Sequence, residues 1–162
     1  LSLLEQFGNQ EVHDFGCGSA HLSGFLKQHG YWVWGYDRAD VAPFCRVWDV
    51  PFQRFNLQAE NSPVHHPNAV ALTVGAVEQL HPWKPFLDFL LASHFKAVIH
   101  IEPFIECCAT YACRKSIKAH KSHQMQVGFL DAVRDAAEII HFQHRSVGHR
   151  FHAYSEVVWR SQ

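Results

Sequence analysis

The 162-residue sequence has almost no net charge, no long apolar segment and an odd number of cysteines. A formal charge of -1 creates no overall field that attracts nucleic acid or anionic lipid, so a nucleic-acid partner stays open but is not favoured. No apolar run reaches the roughly 18 to 20 residues that a membrane span requires. We therefore expect no membrane association.

Five cysteines, two of them adjacent, do not form a convincing disulfide framework. Residues 1–5 also lack the basic and then apolar pattern of a signal peptide. Both observations favour a soluble protein in the reducing cytoplasm. The first residue is not Met, so flanking domains outside the sequence stay open.

Apolar side chains are plentiful, at 48% of the residues including 13 Phe, and the length suits one core. We expect a single domain over residues 1–162. Strands are predicted at residues 11–15, 31–37, 69–74 and 96–102, and 53–57 is preferred to 46–50 as the strand between them. Helical spacing is found at residues 21–29, 77–80, 86–95 and 127–139. Residues 139–147 and 152–159 are typical of an antiparallel hairpin.

The first strand, its glycine turn, the following helix and the second strand form one βαβ unit. Gly16 and Gly18 permit a sharp turn and close approach of a ligand at the start of a helix, where free N–H groups favour an anionic group. Asp37 ends the second strand, where a carboxylate can accept hydrogen bonds from a ribose diol. Together these residues predict a nucleoside site.

Three motifs in this order resemble those of class I S-adenosylmethionine-dependent methyltransferases. Residues 12–20 (VHDFGCGSA) are similar to the family's first motif, 35–37 (GYD) to its ribose-binding strand end, and 73–80 (TVGAVEQL) to its motif after the fourth strand. The resemblance implies an α/β fold with three layers: a doubly wound, mostly parallel seven-stranded sheet, an antiparallel C-terminal hairpin, and helices on both faces.

The resemblance also implies S-adenosylmethionine as cofactor. The residues that match its binding motifs are Asp14, Gly16, Cys17, Gly18, Ala20, Asp37, Arg38, Gln58, Ala59, Val74, Gly75 and Gln79. Gln58 stands where the family usually has an acidic residue near the adenine amine, and an amide can also accept that hydrogen bond. Ala20 takes the place of a third glycine, and Gln79 that of a frequent His.

The function implied is in-line methyl transfer to a small-molecule acceptor. Candidate general bases at strand ends are Glu102, His81 and His152. Glu102 could instead cap a neighbouring helix. Two alternatives stay open: an RNA or cap methyltransferase domain of a larger protein, and a catalytically degenerate module that serves in binding or as a scaffold.

Residues 104–125 show no clear period, and a mobile or substrate-facing insertion, with 106–126 as a candidate lid, is expected there. This segment contains the potential ligands Cys107, Cys108, Cys113, His120 and His123. Their spacing fits no tetrahedral site of paired ligands. No metal site is predicted.

Overall fold

Strands and helices alternate along most of the chain. The computed structural model describes residues 2–8, 11–107, 128–145 and 154–161. The strands are β1 (Glu11–Phe15), β2 (Trp32–Asp37), β3 (Phe52–Arg54), β4 (Ala69–Val74), β5 (Ala97–Glu102), β6 (Ala137–Arg145) and β7 (Tyr154–Ser161). The helices are α1 (Ser2–Glu5), α2 (His21–Gln28), α3 (Ala42–Val47), α4 (Lys84–Ala92) and α5 (Phe129–Ala136), with 3-10 turns at Val77–Gln79 and Ile105–Cys107. Within these residues, no helix has the length and apolar character needed to cross a membrane.

One seven-stranded sheet has the order β3-β2-β1-β4-β5-β7-β6. The first five strands are parallel, whereas β7 is antiparallel to both β5 and β6. The chain runs outward from β1 to β3 and then returns to β4 on the other side of β1, so its direction of winding reverses between β1 and β4. This arrangement confirms the predicted doubly wound sheet with an antiparallel C-terminal hairpin.

The two faces of the sheet bury separate apolar cores, because successive strand residues point to opposite faces. Ala71 lies in a core with Leu90 of α4 and Phe129 of α5. Its neighbour Val70 lies in a second core with Leu26 of α2. Helices therefore cover both faces, which confirms the predicted three layers.

The region between β2 and β4 differs from its prediction in part. The preferred third strand is present, but it spans Phe52–Arg54 and not residues 53–57. The alternative at residues 46–50 is not a strand: its first two residues belong to α3, which begins beside Pro43 and buries Cys45. Pro suits the first turn of a helix, and this signal outweighs the β-prone composition that follows.

The last predicted helix, at residues 127–139, ends three residues early. Ala137 has extended backbone and begins β6, and Ile139 pairs with Trp159 of β7. The apolar positions of the helix continue into the strand, so their spacing could not locate the boundary. The segment 106–126, predicted as a lid, lies outside the described residues except for Glu106 and Cys107, and so do Cys108, Cys113, His120 and His123.

Candidate functional site

A cleft of about 340 Å³ lies at the carboxyl edge of the sheet, beside the reversal between β1 and β4. Its walls come from the segments that follow β1 to β4. The lining residues are Gly16, Gly18, Asp37, Arg38, Asn56, Leu57, Gln58, Gly75, Ala76, Gln79 and Leu80. Its volume and its place at a switch point are typical of a small-ligand site.

The turn after β1 brings the backbone to the cleft. Gly16 and Gly18 have φ angles of 83° and 51°, in the left-handed region that favours glycine. A Cβ at Gly16 would lie 2.5 Å from the Cβ of Ala76 in the opposite wall, whereas a Cβ at Gly18 would meet no atom within 4 Å. Gly16 therefore permits close packing of the two walls, and Gly18 faces open space.

Asp37 is held in place by the same turn. Its Oδ2 atom accepts a hydrogen bond of 3.0 Å from the backbone N–H of Gly18, and Oδ1 accepts one of 2.9 Å from that of Ala39. Each carboxylate oxygen can accept a further hydrogen bond. The side chain can thus accept two hydrogen bonds from a ligand in the cleft and keep those from the Gly18 and Ala39 N–H groups.

The start of α2 adds an anion-binding element. Its N-cap is Ala20, whose side chain makes no capping hydrogen bond. First-turn N–H groups lack partners within the helix, and the helix dipole places partial positive charge at this end. A negatively charged ligand group is therefore favoured beside the turn.

A polar chain of contacts forms the wall opposite this turn. Arg38 Nη1 donates to Gln58 Oε1 over 3.2 Å, and Gln58 Nε2 donates to the backbone carbonyl of His81 over 2.8 Å. These bonds fix the orientation of the Gln58 amide. They connect the segment after β3 to the segment after β4.

Glu102, at the end of β5, holds the turn after β4 through hydrogen bonds to its backbone. Glu102 Oε1 accepts hydrogen bonds from the N–H groups of Ala76 and Val77 at 3.0 and 3.1 Å, and Oε2 accepts one from Glu78 at 3.4 Å. Burial of the carboxyl raises its pKa to about 7, although the backbone donors oppose this shift. Glu102 therefore caps the 3-10 turn Val77–Gln79.

Comparison with solved structures identifies the architecture. A methyltransferase from Methanosarcina mazei, described as S-adenosylmethionine-dependent, superposes with a TM-score of 0.72 at 13% identity, over 99% of this chain and 97% of the other. Magnesium protoporphyrin IX methyltransferase from Synechocystis, solved with bound S-adenosylhomocysteine, gives 0.70 at 16% identity, over 100% and 78%. The chain has the class I methyltransferase fold.

A third neighbour with this fold was solved with two bound compounds. The Burkholderia thailandensis 1,6-didemethyltoxoflavin-N1-methyltransferase, solved with that compound and S-adenosylhomocysteine, gives a TM-score of 0.70 at 14% identity, over 98% of this chain and 74% of the other. No family sequence model and no curated protein sequence matches the chain. The likeness to the methyltransferase fold thus rests on three-dimensional structure.

The structure brings most of the residues implied by the methyltransferase motifs to the cleft. Those that line it are Gly16, Gly18, Asp37, Arg38, Gln58, Gly75 and Gln79, whereas Asp14, Cys17, Ala20, Ala59 and Val74 do not. The cleft is also lined by four residues that were not predicted: Asn56, Leu57, Ala76 and Leu80. Ala76 and Leu80 lie within the third motif, residues 73–80. The motif could therefore have indicated both of them.

Asp14 lies behind the glycine turn of the methyltransferase fold and is fully buried. Its Oδ2 atom accepts a hydrogen bond of 2.5 Å from the hydroxyl of Ser23 in α2. Burial raises the pKa of Asp14 to about 6; the Ser23 hydrogen bond opposes this shift, and the charge of Asp37 adds to it. The pair joins β1 to α2 directly beneath the cleft.

The three candidate bases have different surroundings. Glu102 is fully buried, and both of its oxygens contact backbone N–H groups. His81 is exposed beside the cleft, where its carbonyl contacts Gln58. His152 lies outside the described residues. The proposed catalytic role of each stays a prediction.

Proposed function

We propose that the protein is a methyltransferase that binds S-adenosylmethionine in the cleft at the carboxyl edge of its sheet. The observation that carries the proposal is the position of Asp37, whose carboxylate faces the cleft from the end of β2 and is oriented by the Gly18 N–H at 3.0 Å. The class I methyltransferase fold and the free acceptor capacity of this carboxylate support the same assignment.

The lining residues fit the chemical groups of this cofactor. We assign Asp37 to the ribose diol, Gly16, Gly18 and Gly75 to close backbone approach, and Gln58 to the adenine amine through its amide oxygen. Arg38 and Gln79 complete the polar walls. We assign Asp14, Cys17, Ala20, Ala59 and Val74 to the support of these walls, because none of them lines the cleft.

The bound cofactor supplies a methyl group on a sulfonium centre, which is already an activated leaving group. The task of the protein is then mainly to orient the acceptor in line with that methyl and to exclude water. A base is required only for acceptors such as hydroxyls. His81 is the candidate that we favour for this role because it is exposed beside the cleft, whereas Glu102 already accepts three backbone hydrogen bonds.

We further propose a small molecule as the methyl acceptor. The net charge of -1 supplies no field for a phosphate backbone, which argues against a nucleic acid. Among the structural neighbours, the enzyme from Burkholderia thailandensis holds 1,6-didemethyltoxoflavin, a small molecule. The described cysteines are free thiols, which is in keeping with a reducing, cytoplasmic location.

Isothermal titration with S-adenosylmethionine and S-adenosylhomocysteine tests the cofactor assignment. We expect binding to the wild type and a loss of roughly tenfold or more in Asp37→Ala, because hydrogen bonds to a charged group contribute about 1.5 to 3 kcal/mol each. Asp40→Ala is the matched control, since Asp40 is exposed and bonds only the nearby Ala42 N–H among the contacts described. Equal affinity of both variants would contradict the site.

The outcome also separates the other functions that the sequence leaves open. If neither compound binds the wild type, the methyltransferase assignment is contradicted for this chain and the scaffold function is favoured. If both bind, transfer of a labelled methyl group to small molecules or to RNA identifies the acceptor class. Labelling of RNA alone would overturn the small-molecule assignment.

A further inference from the structure

A cluster of three side chains that could bind a metal lies away from the cleft, towards the amino ends of the parallel strands. It consists of Glu11 and His13 of β1 and His66 of the segment before β4, and their ligand atoms all lie within 4.8 Å of one another. Glu11 is the first residue of β1, and the strand carries the chain roughly 16 Å from there to Gly16 at about 3.3 Å per residue. The cluster is therefore distinct from the cleft.

The two side chains from β1 already have the separation of two ligands on one ion. Glu11 and His13 are two residues apart on a strand, so they share one face of the sheet. Glu11 Oε1 lies 3.2 Å from His13 Nε2. Two ligands at about 2.0 to 2.1 Å from a tetrahedral Zn²⁺ are roughly 3.3 Å apart. The ligand atom of His66 lies within 4.8 Å of both, and movement of its side chain towards them would complete a three-ligand set.

A second contact orients the His13 ring. Its Nδ1 atom lies 2.9 Å from the hydroxyl of Tyr36, which is buried, and the two rings stack. In the metal-free protein, Nε2–H can donate to Glu11 while the Tyr36 hydroxyl donates to Nδ1. With Nε2 on a metal, the ring proton moves to Nδ1 and donates to the Tyr36 oxygen. Histidine ligands commonly have such a partner on the other nitrogen.

The surroundings restrict the movement of the site but leave it accessible. His13 is 2% exposed and its ring contacts Phe95 edge to face, whereas Glu11 and His66 are each half-buried. The rings of His13 and His66 are 4.5 Å apart between centroids. An ion can thus enter from the side of Glu11 and His66, and the buried His13 gives it a rigid anchor.

We propose that Glu11, His13 and His66 bind one divalent transition-metal ion of the Zn²⁺ class, with water as the fourth ligand. Two imidazoles and one carboxylate are a donor set that such ions prefer. The ion would join the segment before β4 to the beginning of β1 and would stabilise the amino edge of the sheet. The proposal does not depend on the proposed methyltransferase function.

Zinc titration of the untagged, chelator-treated full chain tests the proposal. His66→Ala removes a ligand, and His65→Ala removes the adjacent exposed histidine as a matched control. We expect the wild type and His65→Ala each to bind one equivalent of Zn²⁺. His66→Ala should bind it at least about tenfold more weakly. At a Zn²⁺ concentration of 100 times the dissociation constant, the Tm of the wild type and of His65→Ala should rise by roughly 5 to 10 °C.

Imidazole NMR gives a second measurement that does not depend on the variants. Zn²⁺ should shift the Nε2 signal of His13 and move its proton to Nδ1. Equal zinc affinity of His66→Ala and His65→Ala, or a His13 signal that Zn²⁺ leaves unchanged, would overturn the proposal.

Discussion

Asp37 and Glu102 are both carboxylates at the carboxyl edge of the sheet, but their surroundings give them different tasks. Asp37 accepts one backbone hydrogen bond on each oxygen and faces the cleft. Glu102 accepts three backbone hydrogen bonds and is fully buried, so it has no face towards solvent. The sequence alone could predict that both residues lie at strand ends. It could not show which carboxylate faces the cleft and which caps a turn.

Glu102→Gln tests the raised pKa of this buried carboxyl through the pH dependence of stability. Burial raises the pKa of Glu102 to about 7 in the folded state, from 4.5 in the unfolded chain, so its contribution to stability is fully present below pH 4.5 and is lost as the pH rises through 7. The free energy of unfolding of the wild type, relative to the variant, should therefore fall by about 1.4 kcal/mol per pH unit in this window.

Urea denaturation between pH 4.5 and 8 measures this difference. Glu60→Gln is the control, because it makes the same substitution at an exposed residue. A flat profile for Glu102→Gln as well would show that the buried carboxyl does not keep its proton, and would contradict the raised pKa.

The two loops that form the cleft depend on each other at the scale of the elements. The turn after β1 packs Gly16 directly against Ala76, which belongs to the turn after β4. Glu102 supports the second turn from β5, while Asp14 connects β1 to α2 through Ser23. Four elements thus fix the positions of the two turns. A change in either turn should affect the other.

A double-mutant cycle measures this dependence between the turns. Gly18→Ala should destabilise by about 1 kcal/mol, because its φ is positive but its surroundings are open. Gly16→Ala should lose a further 1 to 3 kcal/mol or so, because the new Cβ overlaps that of Ala76.

Ala76→Gly should recover part of the loss in Gly16→Ala and none of that in Gly18→Ala. Urea denaturation of the three single variants and the two double variants gives these values. If Gly16→Ala and Gly18→Ala were equally stable, and Ala76→Gly rescued neither, the contact between the turns would not be significant.

The sequence predicts the parts of the molecule that depend on local chemistry. The bounds of β4 follow from a short apolar run, and β1 ends where the glycine turn begins. The glycine turn and Asp37 follow from one βαβ unit. Asn56 and Leu57 of the cleft come from the loop after β3, whose place against the glycine turn depends on the sheet order. His66 likewise lies close to His13 only because β4 pairs with β1. No local sequence pattern predicts that pairing.

At the scale of the whole molecule, the sheet separates two kinds of chemistry. The cleft lies beyond the carboxyl ends of β1, β2 and β4, whereas the Glu11–His13–His66 cluster lies towards their amino ends. The parallel strands between them are buried on both faces by the two apolar cores. Ligand binding at one edge should therefore leave the backbone at the other edge largely undisturbed.

Amide NMR during a titration with S-adenosylhomocysteine tests the central claim most directly, because glycine amide signals are well separated from the others. We predict that the signals of Gly16, Gly18 and Gly75 shift to saturation together, while those of Gly8 and Gly30, which do not line the cleft, stay in place. Signals that remain unchanged at saturating ligand, or shifts confined to Gly8 and Gly30, would contradict cofactor binding in this cleft.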